Sequence, residues 1–149
     1  MFSLAIEQAS SCDADLVIAS DPDADRLGCA VPDPQKGWNA SPGVLCLNGN
    51  QIGALLCHYV LKKRAEHGDD IGKGVVAKTI VTTDLTGRIA SSFGARLVDN
   101  LLVGFKYIAQ VIADQGNPAR FVFGTEESHG YLATHTVRDK DAASAAMIL

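Results

Sequence analysis

Gly74-Val75-Val76-Ala77-Lys78-Thr79-Ile80-Val81-Thr82-Thr83 is rich in β-branched residues and opens on a glycine, and it predicts a buried strand. The stretch from Leu85 to Phe93 reads as a helix stopped by Gly94, and Arg96-Leu97-Val98-Asp99 as a second short strand. A strand, a helix and a strand in that order are a crossover unit, which joins parallel strands. The pattern continues downstream, with a helix over Gly104 to Asp114 stopped by Gly116 and a strand over Arg120 to Gly124. A polar turn then leads to a last helix, Asp141 to Leu149. Upstream, Ile52, Leu55, Leu56, Tyr59 and Val60 recur at helical spacing, with Asn48 or Asn50 as the cap and Gly68 as the stop. The fold class is therefore α/β, a mixed and mostly parallel sheet flanked by helices.

The N-terminal part differs. Residues 2–11 predict a short helix, 15–20 a strand and 27–31 a return to extended structure. One helix and a strand with its loop cannot bury a core. They read as a partial helix–strand unit belonging to a neighbouring domain. Residues 32–42 hold three prolines with Gly37, Trp38 and Asn39, a turn-rich composition expected to be exposed. The expected division is residues 1–42 and residues 43–149.

A chain of 149 residues with 47% hydrophobic and 20% charged residues is of ordinary globular composition. A net charge of −4 with no basic stripe argues against nucleic acid as a partner. No apolar run approaches the ~18 residues that would span a bilayer, so no membrane is expected. Met1-Phe2-Ser3-Leu4-Ala5-Ile6 lacks a basic start and soon meets Glu7, so no secretory signal is expected in it. Cys12, Cys29, Cys46 and Cys57 match no zinc spacing and read as reduced thiols. A cytoplasmic location follows as an expectation.

The chemistry begins at Asp21-Pro22-Asp23-Ala24-Asp25-Arg26, which follows the apolar run Leu16 to Ala19. Alternate residues of an extended segment point the same way, so Asp21, Asp23 and Asp25 are expected to converge. Converging carboxylates repel unless a cation sits among them, and a hard dication such as Mg2+ suits three carboxylates plus a substrate phosphate. A calcium EF-hand loop is excluded, because its sixth and twelfth positions would be Arg26 and Pro32 rather than Gly and Glu. A solvated acidic turn is the plainer alternative.

Gly124-Thr125-Glu126-Glu127-Ser128-His129-Gly130 follows the last strand. Ligands of α/β sheets gather beyond the carboxyl ends of strands, and carboxylates with hydroxyls suit a sugar's hydroxyls. A polar hairpin turn would have the same composition. His129 is open to three roles: metal ligand, general base, or hydrogen-bond partner of its neighbours. Lys106, after Val103-Gly104-Phe105, is placed to reach an anion, though solvent is the commoner surrounding of such a lysine. Lys140, in Arg138-Asp139-Lys140-Asp141, suits a phosphate site or an acid/base step, while Asp139 or Asp141 suits a helix cap. The chain has no glycine-rich nucleotide loop.

Taken together and in order, these motifs resemble the α-D-phosphohexomutase family. Asp21 to Arg26 is similar to its magnesium loop and Gly124 to Gly130 to its sugar-binding loop. Lys78 to Thr83, Gly104-Phe105-Lys106-Tyr107-Ile108 and Val137 to Asp141 are similar to the phosphoglucomutase branch. The resemblance implies a four-domain enzyme interconverting hexose 1-phosphate and 6-phosphate, through a phosphoserine and a bisphosphate such as glucose 1,6-bisphosphate. It implies Mg2+ on Asp21, Asp23 and Asp25, and sugar contacts from Val103, Gly104, Glu126, Ser128 and His129. Arg26, Lys106 and Lys140 would be the active-site cations. The family's serine loop (T-A-S-H-N-P) and last-domain phosphate loop (R-x-S-G-T) are both absent. The chain is thus expected to be the end of the second domain plus the third, inactive alone, with a phosphosugar and the missing first and fourth domains as partners. Two other readings are a non-catalytic module that holds Mg2+ and a phosphosugar, and a phosphatase with an aspartate nucleophile.

Overall fold

In a computed structural model, residues 2–38 and 44–149 are described. Helix α1 (Ser3–Cys12) lies on a three-stranded antiparallel sheet of β1 (Val17–Ser20), β2 (Leu27–Pro32) and β3 (Val44–Leu47), in that order. Helix α2 (Gly49–His67) follows at once. Asn48 caps it reciprocally with Gln51, and Gly68 ends it at φ 92°. The second sheet has the order β5-β4-β6-β7, with β4 (Val75–Thr79) flanked in parallel by β5 (Arg96–Leu101) and β6 (Phe121–Glu126). β7 (Gly130–Leu132) turns back antiparallel on β6. Helices α3 (Asp84–Ser92) and α4 (Phe105–Asp114) are the crossovers, and α5 (Ala142–Ile148) closes the chain.

Strand alternation sorts the second sheet's side chains onto two faces. Val76, Phe123 and Tyr131 pack with Ile52, Leu56 and Val60 of α2 and with Ala142 and Ala145 of α5. Val75, Ala77, Phe121 and Leu132 pack with Phe105, Ile108, Val111 and Ile112 of α4. Phe121 and Phe123 have the same parity yet face opposite ways. The register of β6 against β4 slips between Val75 and Val76, and that bulge turns the strand over.

Four details differ from the sequence expectation. The strand from Gly74 stops at Thr79, because Thr82 N–H turns back onto the Thr79 carbonyl at 3.1 Å. Ile80 and Val81 are left exposed. Leu55 and Tyr59 point outward from α2 rather than into the core. Trp38 belongs to the core of the first sheet, packed with Ala9, Val17 and Ala30 and donating from Nε1 to the Ala14 carbonyl at 2.6 Å. The rest of the turn-rich segment, 39–43, lies outside the described residues. Lastly, β3 and β7 have no counterpart in the sequence reading, and β3 adds residues 44–47 to the first sheet.

Candidate functional site

One ligand oxygen each from Asp21, Asp23 and Asp25 comes within 4.8 Å of the others. The cause of this convergence is not strand alternation. The chain leaves β1 into a turn in which Ala24 takes φ 57°, a conformation uncommon for a residue with a Cβ. Asp21 holds that turn. Its Oδ1 accepts from the N–H of Asp25 (3.2 Å) and of Arg26 (3.1 Å). The Arg26 amide is the main reason the Asp21 carboxyl lies below its ordinary range. Asp23 is exposed and turned toward the other two. Asp25 Oδ1 is buried without a hydrogen-bond partner, with Arg26 Nε 3.8 Å away. Such an oxygen is costly to bury unless a ligand takes it up. Three carboxylates, one with a bare buried oxygen, suit a hard oxygen-loving dication such as Mg2+.

The second motif forms a tight hairpin. Glu126 pairs with Gly130, leaving Glu127, Ser128 and His129 as the loop, with His129 at φ 69°. Its two carboxylates are held in different ways. Glu126 is buried and its Oε1 accepts from the Gly104 N–H at 2.7 Å. Gly104 sits at φ 127°, which only glycine adopts without strain. The bond ties Val103-Gly104 to the hairpin, and Val103 itself is exposed. Glu127 Oε2 accepts from Thr79 Oγ1 (3.1 Å) and Thr82 Oγ1 (3.2 Å). Lys78, 2% exposed, donates from Nζ to the Thr82 carbonyl at 2.9 Å and so fixes that threonine turn. Sequence reasoning named neither Lys78, Thr79 nor Thr82 as supports of this loop.

The two motifs are joined through the backbone. Arg26 and Gly130 form an isolated antiparallel bridge, and Leu27 N–H donates to the His129 carbonyl at 3.1 Å. His129 Nδ1–H donates to the Leu27 carbonyl at 3.1 Å, the neighbourly role left open above. From α5, Ala142 N–H donates to the Ala24 carbonyl at 3.2 Å. Between the loops lies a cavity of about 240 Å3 bordered by Asp21, Arg26, Ser128 and His129, with Phe2 at its edge.

Lys140 reaches the acidic trio, its Nζ 3.0 Å from Asp25 Oδ2 and 3.0 Å from Asp139 Oδ1. Burial disfavours its charge, but the bonds to Asp139 and Asp25 outweigh that and raise its pKa. Lys106 lies elsewhere. It is exposed, with Nζ 5.0 Å from its neighbour Tyr107's ring, and among the described residues no ion pair joins it to the other candidates. No helix among the described residues is long and apolar enough to cross a membrane.

Residues 48–149 match the family model of phosphoglucomutase/phosphomannomutase, alpha/beta/alpha domain III. Phosphoglucomutases of Staphylococcus epidermidis and Staphylococcus haemolyticus are each 40% identical over 141 residues, 95% of this chain and 24% of theirs. That of Staphylococcus aureus strain N315 is 39% identical over the same length. The chain thus spans about a quarter of the length of these relatives, 24%. Among solved structures, a phosphomannomutase assigned as such in Thermus thermophilus superposes with a TM-score of 0.73 at 21% identity, over 99% of this chain and 29% of that one. Paramecium parafusin, a phosphoglucomutase in its open form, gives 0.58 at 18% identity, over 97% and 22% of the two chains. The N-acetylphosphoglucosamine mutase of Aspergillus fumigatus, in complex with GlcNAc-6P and magnesium, gives 0.56 at 19% over 80% and 23%. At these identities the superpositions speak for the fold.

Proposed function

The chain belongs to the phosphoglucomutase/phosphomannomutase family, and from that premise we propose that it supplies the Mg2+ ligands and the sugar-hydroxyl ligands of a phosphohexomutase. The observation that carries this is the backbone bridge between Arg26 and Gly130, which joins the acidic loop to the hairpin, with Asp21 and Arg26 of the one and Ser128 and His129 of the other lining a shared cavity. Asp21, Asp23 and Asp25 would hold Mg2+, which when bound neutralises phosphoryl oxygens. Glu126 Oε2, whose partner oxygen is taken by Gly104, and the exposed Ser128 hydroxyl would meet sugar hydroxyls. Arg26 and Lys140 would balance phosphate charge beside the trio, and Lys106 would approach a phosphosugar from the α4 side. Phosphoryl transfer asks mainly for such positioning and charge balance.

The reaction needs a phosphoryl carrier, and we assign that to a phosphoserine on another domain, with glucose 1,6-bisphosphate as the bound intermediate of the whole enzyme. In this reading the N-terminal part of the chain, taken from the sequence as residues 1–42, comes from the second domain and the third domain follows. The pairing of β3 with β2, and a family match that begins at Asn48, favour placing the boundary at Leu47–Asn48. A cytoplasmic enzyme of carbohydrate metabolism fits. The aspartate-nucleophile alternative fits less well, since Asp21 Oδ1 is occupied by two amides.

Two measurements test the proposal. Calorimetric titration with MnCl2 should show one site on the chain, lost in D25N. A coupled assay should show no conversion of glucose 1-phosphate to glucose 6-phosphate by the chain alone. Turnover in that assay would refute the division of labour, and Mn2+ binding unaltered in D25N would refute the metal site.

A further inference from the structure

The trio is not bare of cations. Lys140 Nζ stands 3.0 Å from Asp25 Oδ2 and equally 3.0 Å from Asp139 Oδ1. Its side chain is 15% exposed, whereas Asp139 is 69% exposed. The lysine stem lies against Gly130, where an added Cβ would come 2.5 Å from Lys140 Cδ. Its ammonium sits 5.4 Å from the centre of the Phe105 ring. The stem is thus held by packing, while the charge is shared between a carboxylate of the trio and one outside it. Asp25 meanwhile spends Oδ2 on Lys140 and keeps Oδ1 buried without a hydrogen bond.

From this we infer that Lys140 is the resident counter-ion of the trio: a divalent cation must displace it from Asp25, and Asp139 is the acceptor to which it withdraws. The inference rests on the trio being a cation site and goes beyond it, because it makes cation uptake a competition between two positive charges for one carboxylate. An ammonium and a dication sharing a carboxylate repel each other, and in a water-accessible site one such charge changes affinity by about tenfold. Asp139 lowers the cost of displacement by offering Lys140 a second partner without moving its stem.

Two variants of the full chain test this with opposite signs, read by calorimetry with MnCl2 and by the free Mn2+ EPR signal. K140M keeps an unbranched stem over Gly130 and loses the charge, so Mn2+ should bind about tenfold more tightly. D139N removes the alternative carboxylate, so Mn2+ should bind about threefold more weakly. A lysine that merely props the loop would give weaker binding in K140M. Wild-type binding with K140M unchanged or weaker overturns the counter-ion role and leaves the metal site standing. No Mn2+ uptake by wild type or K140M overturns both. If K140M does not fold, D139N decides the matter through its exposed position: weaker Mn2+ binding supports the exchange, and unchanged or tighter binding overturns it.

Discussion

Replacing Gly49 by alanine should damage the protein far more than its place at the start of a helix suggests. A Cβ there would lie 1.9 Å from the Glu127 carbonyl oxygen, 2.7 Å from its carbon and 2.8 Å from the His129 nitrogen. All three are backbone atoms of the hairpin, so no side chain can rotate away. Helix propensity alone would favour alanine by up to about 1 kcal/mol. Overpacking costs about 1–3 kcal/mol, and against a fixed backbone the upper end applies. Tyr131 Oη donates to the Gly49 carbonyl at 3.1 Å, and loosening that buried bond adds about 1 kcal/mol. The net expectation is a loss of about 3 kcal/mol, or about 8 °C in Tm for a chain of this length. Thermal and urea denaturation followed by circular dichroism measure it. Faster amide exchange at Leu27, whose N–H donates to His129, would locate the disturbance. G72A is the control, since a Cβ there meets only Asp70 Oδ1 at 3.4 Å. A G49A protein that melts within 2 °C of wild type, on the order of 0.7 kcal/mol, would show that the helix and hairpin are not in the contact described.

Other outcomes follow from the same geometry. T79V and T82V should each cost about 1–2 kcal/mol, and the double variant less than their sum, because both hydroxyls serve Glu127 Oε2; strict additivity in urea unfolding would contradict the shared acceptor. At pH 8 a thiol-specific disulfide reagent should titrate Cys12 and Cys46 quickly, but Cys29 and Cys57 only in denaturant. The first pair is exposed and the second buried, with the Cys57 thiol pushed up to about 12 by burial. Burial also raises the Tyr131 phenol. Its folded pKa exceeds its unfolded value, so its stabilisation is complete below about pH 10 and is lost as the pH rises further. Y131F should flatten the fall of Tm between pH 9 and 11, and an unchanged slope would count against a buried phenol.

The sequence made the crossover units plain, because Val75, Val76 and Thr79 are β-branched and Gly68, Gly94 and Gly116 all stand just beyond a helix at positive φ. It overextended the central strand, since nothing local in Ile80-Val81 tells a strand from an apolar turn. What stops the strand is the return of Thr82 onto Thr79 and the grip of Lys78 on that turn. β3 and β7 were too short, at four and three residues, to show alternation. In the site, residue types were legible and supports were not. The Asp trio was found for a reason the structure replaces: the left-handed Ala24 and the amide bonds of Asp21 gather it, not an extended backbone. Glu127 is braced by threonines 45 and 48 residues away, a relation that only folding creates.

The seam between the two sheets has a further consequence. β1 and β2 precede Trp38, whereas β3, α5 and the hairpin all lie from Val44 onward. Pairing of β2 with β3, together with the bonds from Leu27 to His129 and from Ala24 to Ala142, crosses between these two stretches. A molecule cleaved anywhere between Trp38 and Val44 would therefore keep its halves together, and peptides encoded separately should complement one another. Continuity of the polypeptide at that junction is dispensable for joining the acidic loop to the hairpin.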